Sequence, residues 1–333
     1  MWHKKTNQAG YAATRLLLAA VLAVGAVLVF AQRQAIVDQI SVWSYEPTSE
    51  IAALAERASM NEHGRFNFYA AKPELLQAEQ FNSVCADHDP EGATLGCYTG
   101  GLIYIYDIDD ERLDGIREVT AAHEMLHAVY ARLDGGEKDE IHRLIDEAFD
   151  SIEDEKLNER LGLYERNQPG TRYIELHAII GTEFRDIPQG LEDHYSEVFN
   201  DRLSVVALHE SYVAQFTARE ERANQIRQQI ESLSSSIESA SSTYNRDIQS
   251  LSRDIESFNS RANRIESESE RQSLVAERQN LLSRTSSLEA RRAQIDGWIA
   301  SYNSLVAEYN SIATEVRELT DSIDSNLDPA PSV

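Results

Sequence analysis

Cysteine is almost missing from this chain of 333 residues: there are two, Cys85 and Cys97. No paired CxxC occurs and no fourth ligand stands near His88, which makes a structural cysteine–histidine zinc site a poor fit. The two cysteines instead flank a turn-rich run, ADHDPEG at 86–92. That spacing suits a closed loop, and in an oxidising compartment a disulfide there would constrain the unfolded chain by roughly 3 kcal/mol at most. Positive charge is also in short supply, with 31 Lys and Arg against 56 Asp and Glu, for a net charge of -25. So acidic a surface repels phosphates and argues against nucleic acid as a partner, while it suits a soluble body beyond a membrane. Long apolar runs are lacking as well, with one exception.

The exception is the uncharged stretch 16–31, preceded by Lys4, Lys5 and Arg15 and ended by Gln32-Arg33. Sixteen residues of helix reach only about 24 Å, short of the ~30 Å hydrocarbon core, but Arg15 can snorkel and let residues 11–14 join the span. Residues 1–33 are therefore expected to be a cytoplasmic N-terminus with a signal anchor that contacts the membrane through 11–31. Positive charge before the span sends everything after Arg33 across the membrane. The rival reading takes Val29-Phe30-Ala31 as a signal-peptide cleavage site, giving a protein secreted after cleavage near Ala31. Both readings export the body. Residues 34–48 follow as a juxtamembrane segment, in which Trp43 and Tyr45 are expected against the outer headgroups and Pro47 marks the end.

A globular domain is expected over 49–202. Ile51, Leu54 and Ala58 predict a helix over 49–60. RFNFYAA at 65–71 alternates as a strand does, 73–80 reads as helix, and LIYIY at 102–106 is a β-prone run. Residues 116–133 predict a helix stopped by Gly135-Gly136, followed by helices over 137–161, over 172–180 ending at Gly181, and from 191 onward. The strand at 102–106 stands just before the helix 116–133. As an edge strand it would let an extended peptide add alongside; as an internal strand it would only fill a small sheet.

From about Leu203 the composition turns to Ser, Glu, Arg, Gln and Asn with regular apolar residues. Leu274, Leu281, Leu288, Ile295, Tyr302, Tyr309, Val316 and Ile323 keep one seven-residue repeat, with Trp298, Leu305, Ile312 and Leu319 as a companion row. An earlier arm runs through Ile226, Ile230, Leu233, Ile237, Ala240 and Tyr244, slips by four at Ile248, and resumes at Leu251, Ile255, Phe258, Ala262 and Ile265. ESESERQS at 266–273 has no apolar residue, so residues 203–325 predict an antiparallel coiled-coil hairpin with arms on the order of 75 to 90 Å. A parallel dimer of one very long helix is the alternative, and the heptads leave a coiled-coil partner or self-association open. Residues 326–333 are expected to be a loose tail.

The most informative residues are His123-Glu124-Met125-Leu126-His127, spelling HExxH. On a helix, positions four apart share a face, so both imidazoles can hold one zinc ion while Glu124 handles a proton as general base. Ala121, Ala122, Met125, Leu126, Ala128 and Val129 around them carry no charge, as befits a helix next to a core. No third histidine follows at the HExxHxxGxxH spacing, so the third ligand must come from elsewhere. Glu175 is favoured because it shares its helix face with Ala178 and Ile179; Glu183 is the alternative, behind Gly181-Thr182, and His177 comes third. His194, Tyr195 or Arg185 is expected to donate a hydrogen bond to the oxyanion.

VTAAHEMLHAVY at 119–130, together with YIELHA at 173–178, resembles zinc metallopeptidases of the gluzincin type, particularly the small membrane-tethered bacterial kind. The resemblance covers roughly 66–199. It implies zinc held by the two histidines and a later helical glutamate, with Ala178 as the small residue three positions on; the family's usual polar Asp does not follow. The expected fold class is α+β: a small zincin-like domain, with a short sheet and active-site helices, then the helical hairpin, behind an N-terminal transmembrane helix. The expected function is a membrane-anchored extracytoplasmic zinc metallopeptidase acting on a peptide or protein substrate. The alternative is a non-catalytic envelope protein that works through its hairpin and keeps a degenerate peptidase domain.

Overall fold

The computed structural model describes residues 32–85 and 94–326. The expected anchor, the loop at 86–92 with His88, and residues 327–333 lie outside them. Among the described residues no helix is long and apolar enough to cross a membrane. The fold is mostly helical with one small sheet.

Helix α1 (Arg33–Ser44) is followed by α2 (Ser49–Arg57), which the Thr48 side chain caps by accepting from the Ile51 amide. Residues 65–71 are not a strand but lie in α3 (Glu62–Ala70), capped by Asn61. The buried positions explain why. Gly64, Asn67, Phe68 and Ala71 recur at three and four, the helical period, and the aromatic alternation merely overlaid it. Residues 73–80 divide into strand β1 (Glu74–Leu76) and helix α4 (Ala78–Cys85). The extended segment is held there because the Asp107 amide donates to the Leu76 carbonyl and the Ile103 amide to that of Ala71.

Strands β2 (Gly96–Thr99) and β3 (Leu102–Tyr106) complete a sheet of order β1-β3-β2. β1 pairs parallel to β3 with Glu74 opposite Tyr104, and β2 pairs antiparallel with Cys97 opposite Tyr104. LIYIY is thus the middle strand. Its backbone groups are already paired on both sides, so of the two readings open for 102–106 the internal strand is the one found. Alternation does place its side chains on two faces. Ile103 and Ile105 enter the main core, whereas Tyr104 and Tyr106 pack with Phe81, Cys85 and Cys97. The expected disulfide is present there, Cys85 to Cys97, with Cα atoms 6.0 Å apart.

The HExxH segment lies in α5 (Ile116–Arg132). Gly135-Gly136 do not end it; they open α6 (Gly135–Ser151), where Asp134 and Glu137 form a reciprocal capping box. The expected helix 137–161 is broken at 152–154, where Ile152 is extended and Asp154 caps α7 (Glu155–Asn167). Helix α8 (Arg172–Glu183) runs past Gly181 rather than stopping there. A Cβ at that position would stand 2.6 Å from Leu126 Cδ1 and 2.9 Å from Tyr195 Cε1, so this glycine serves close helix packing and not a turn. Helix α9 (Gln189–Ser196) and the long α10 (Arg202–Ala262) follow, then α11 (Glu268–Ile323).

The chain divides into two compact units: one runs to Ala214 and takes up the chain again from Thr320, and the other is Gln215–Leu319. Within the second, α10 and α11 pair antiparallel. Arg219 meets Glu315, Arg222 meets Glu308, Asp247 meets Arg291, Asp254 meets Arg284, and Arg261 meets Glu277, so partner numbers fall as the first arm rises. The strict repeat is buried at Leu274, Leu281, Leu288 and Ile295, but Tyr309 is exposed and the buried row passes to Ile312 and Leu319. Helix α11 continues to Ile323, and the residues after 319 are grouped with the first unit, where Asn82 donates to the Ser325 carbonyl.

Two interactions tie α5 to the N-terminal helices. Arg57 bridges Asp114 and the buried Glu118, and Arg132 donates from Nε and Nη2 to the two oxygens of Asp38 at 2.9 and 2.8 Å. Asp38 is 4 % exposed, and leaving one partner of a buried pair uncompensated is costly. Asp38→Ala should destabilise the first unit by about 3 kcal/mol in urea unfolding; a change within about 0.5 kcal/mol, the usual range for surface sites, would show that the pair is not buried in solution.

Candidate metal centre

α5 and α8 pack face to face, and the ligand set follows from that contact. His123 and His127 lie one turn apart on the same side of α5, their rings edge-on with centroids 4.7 Å apart. Glu175, in the first turn of α8, points between them: its Oε2 stands 3.7 Å from His123 Nε2 and its Oε1 3.7 Å from His127 Nε2. The three ligand atoms lie within 4.8 Å of one another. Atoms around a common tetrahedral centre with bonds of ~2.0–2.2 Å stand on the order of 3.5 Å apart, so the group has the dimensions of an ion site. Its two-nitrogen, one-oxygen donor set matches that of zinc hydrolases.

The surroundings are apolar. Met125, Leu126, Ala128, Leu176, Ala178 and Ile179 are all buried. Burial by itself would press His123 down, yet Glu175 facing it and the further carboxylates of Glu124 and Glu183 outweigh that, so its pKa is raised. Burial acts the opposite way on Glu175, but His127, His123 and Arg160 hold its carboxyl below the ordinary range. Glu124 has no such partner. Its burial, opposed by His123 and reinforced by Glu175, pushes it up to about 8, and its Oε2 is fully enclosed without a hydrogen-bond partner. An orphaned buried carboxyl oxygen beside two imidazoles is costly unless a charge or a bound molecule completes it.

Strand β2 closes one side. A Cβ on Gly96 would lie 2.8 Å from Glu124 Oε1 and 2.7 Å from Thr120 Cγ2, so the strand backbone rests directly on the Glu124 side chain. β2 is an outer strand and has no second strand partner among the described residues.

The remaining expectations fare unevenly. Glu183 does not join the triad; its Oε2 takes Arg160 at 2.7 Å and faces His209 Nε2 at 3.9 Å. Tyr195 is entirely buried and donates to the His177 carbonyl at 2.7 Å, so its hydroxyl is not available to an oxyanion. His194 meets His177 ring to ring, Nε2 to Nε2 at 2.8 Å. His177, fully enclosed, is held well below the ordinary histidine pKa by burial and by His194, and it is not a member of the metal group. Arg185 is engaged by Glu210 through two hydrogen bonds of 2.6 Å.

Arg160, His209 and Tyr212 were missed. They gather at Glu183, with the Tyr212 hydroxyl 3.1 Å from His209 Nδ1, and the charge of Arg160 reaches Glu175. His209 and Tyr212 sit in the first turns of α10, where the sequence reads as coiled coil; no local signal in the sequence separates them from the arm.

No protein-family profile, no curated protein and no solved structure matches this chain.

Two outcomes follow. Replacing His127 or Glu175 with Ala should abolish zinc binding as read by calorimetric titration, while Glu183→Gln should keep it; loss in the latter and retention in the former would reverse the ligand assignment. Tyr195→Phe should cost about 1 kcal/mol of stability in urea unfolding with metal affinity unchanged, because it removes one buried hydrogen bond.

Proposed function

We propose that this chain is a membrane-anchored zinc peptidase whose metal is held by His123, His127 and Glu175. The convergence of those three side chains at one buried point carries the reading. When bound, the ion supplies a water of lowered pKa, polarisation of a carbonyl and positive charge beside Glu124. Glu124 then has its role from position: a carboxylate with one enclosed, unpaired oxygen takes a proton from the attacking water and passes it to the departing amine.

Other residues of the chain fit the same chemistry. The outer edge of β2, rather than 102–106, offers amide and carbonyl groups to an extended peptide. Arg160, whose charge reaches Glu175, and His209 and Tyr212, grouped with it at Glu183, replace His194 and Tyr195 as candidates for a developing oxyanion. The disulfide between α4 and β2 fixes the strand that lies on Glu124, which is consistent with export to an oxidising compartment.

The second reading, an envelope protein working through its hairpin, is favoured by the hairpin itself, a compact unit over Gln215–Leu319 joined by five arm-to-arm ion pairs. Glu124→Gln separates the two. The variant should bind zinc as tightly as the native chain and lose roughly 10²–10⁴ in hydrolysis of a quenched-fluorescence peptide library; native protein that binds zinc and cleaves nothing would favour the structural reading.

A further inference from the structure

Helix α1 carries an apolar stripe that nothing among the described residues covers. Ile36, Val37, Ile40 and Trp43 are 42, 54, 56 and 79 % exposed, and at a helix's 100° per residue they span about a third of the circumference. Asp38 lies on the opposite side, buried against Arg132. Tyr45, expected beside Trp43 in the headgroups, turns the other way: its hydroxyl donates to the Pro73 carbonyl at 2.6 Å and its ring packs on Tyr69. The exposed stripe therefore belongs to α1 alone.

What covers it is indicated by the chain before it. The uncharged run 16–31 ends two residues short of Arg33, where α1 begins. If that run is the anchor, the first turn of α1 emerges at the headgroups. A helix of 12 residues rising straight from the surface would carry Trp43 about 15 Å into water; lying flat, it buries all four apolar side chains at once.

We propose that α1 lies in the plane of the membrane surface, with Ile36, Val37, Ile40 and Trp43 seated in the boundary between headgroups and acyl chains. The inference rests on the anchored reading above. It adds an orientation: because the opposite face of α1 is locked by Asp38 to Arg132, the last residue of the HExxH helix, lipid contact fixes that helix relative to the bilayer. The substrates that reach the site are then those presented close to the membrane surface.

The test uses the full chain with Trp43 as sole tryptophan, through Trp2→Phe and Trp298→Phe, in phosphatidylcholine vesicles with brominated acyl chains. The protein should float with the vesicles, and Trp43 should lose about half its emission to bromines near the headgroups and less to those at the chain ends, as suits a depth of ~5–10 Å. Flotation without quenching, or stronger quenching at the chain ends, overturns the surface-lying helix and leaves the anchor standing. Failure to float overturns both, with zinc binding and hydrolysis read separately. Should the double replacement fail to fold, the difference in quenching between the native chain and Trp43→Phe gives the same reading.

Discussion

Everything at the candidate site depends on how closely α8 approaches α5. Two imidazoles and two carboxylates are enclosed between helices whose other contacts are Leu, Ile, Met and Ala, and isolated charges in such a setting cost several kcal/mol each. The approach is set by small residues: Ala178 lies on the contact, and the missing side chain of Gly181 admits Leu126 and Tyr195. It brings Glu175 between His123 and His127, where opposite charges relieve one another. Glu124 is left with its burial only partly offset by His123 and with one enclosed oxygen that has no hydrogen-bond partner.

The rest of the first unit holds that helix pair in place. Arg57 and Arg132 fasten the two ends of α5 to α2 and α1, through Glu118 and Asp38. The sheet supports one flank, and β2, stapled by its disulfide to α4, lies on Glu124. Where α5, α6, α8 and α9 meet, Tyr130, His142, Tyr173, His177, His194 and Tyr195 form a continuous cluster of rings, with His142 stacked on Tyr173 at 3.9 Å. His177 and His194 are turned to each other, Nε2 to Nε2 at 2.8 Å, a mutual contact that residue type alone cannot show.

How much of this was legible varies with the range of the interaction. The HExxH helix was, because its period, its uncharged flanks and its ligand spacing all lie within five turns of one element. The hairpin was, since heptads repeat often enough to average out exceptions such as Tyr309. Glu175 could be favoured from a carboxylate set among apolar neighbours. Short elements were not legible: RFNFYAA carries two periods at once, and only burial against the core chose the helical one. Gly181 and Gly135 looked like stops, but one permits packing and the other opens a helix. The middle position of LIYIY depended on β1, three residues drawn into the sheet by partners about thirty positions away. Arg160, His209 and Tyr212 meet only in three dimensions.

The central claim is that three side chains from two helices share one ion. X-ray absorption at the zinc edge on the full chain, loaded with one equivalent of zinc, tests it most directly. Two imidazole nitrogens and at least one carboxylate oxygen are expected at ~2.0–2.2 Å, with the nitrogen signal halved in His123→Ala. A spectrum of oxygen ligands alone, unchanged in that variant, would contradict it.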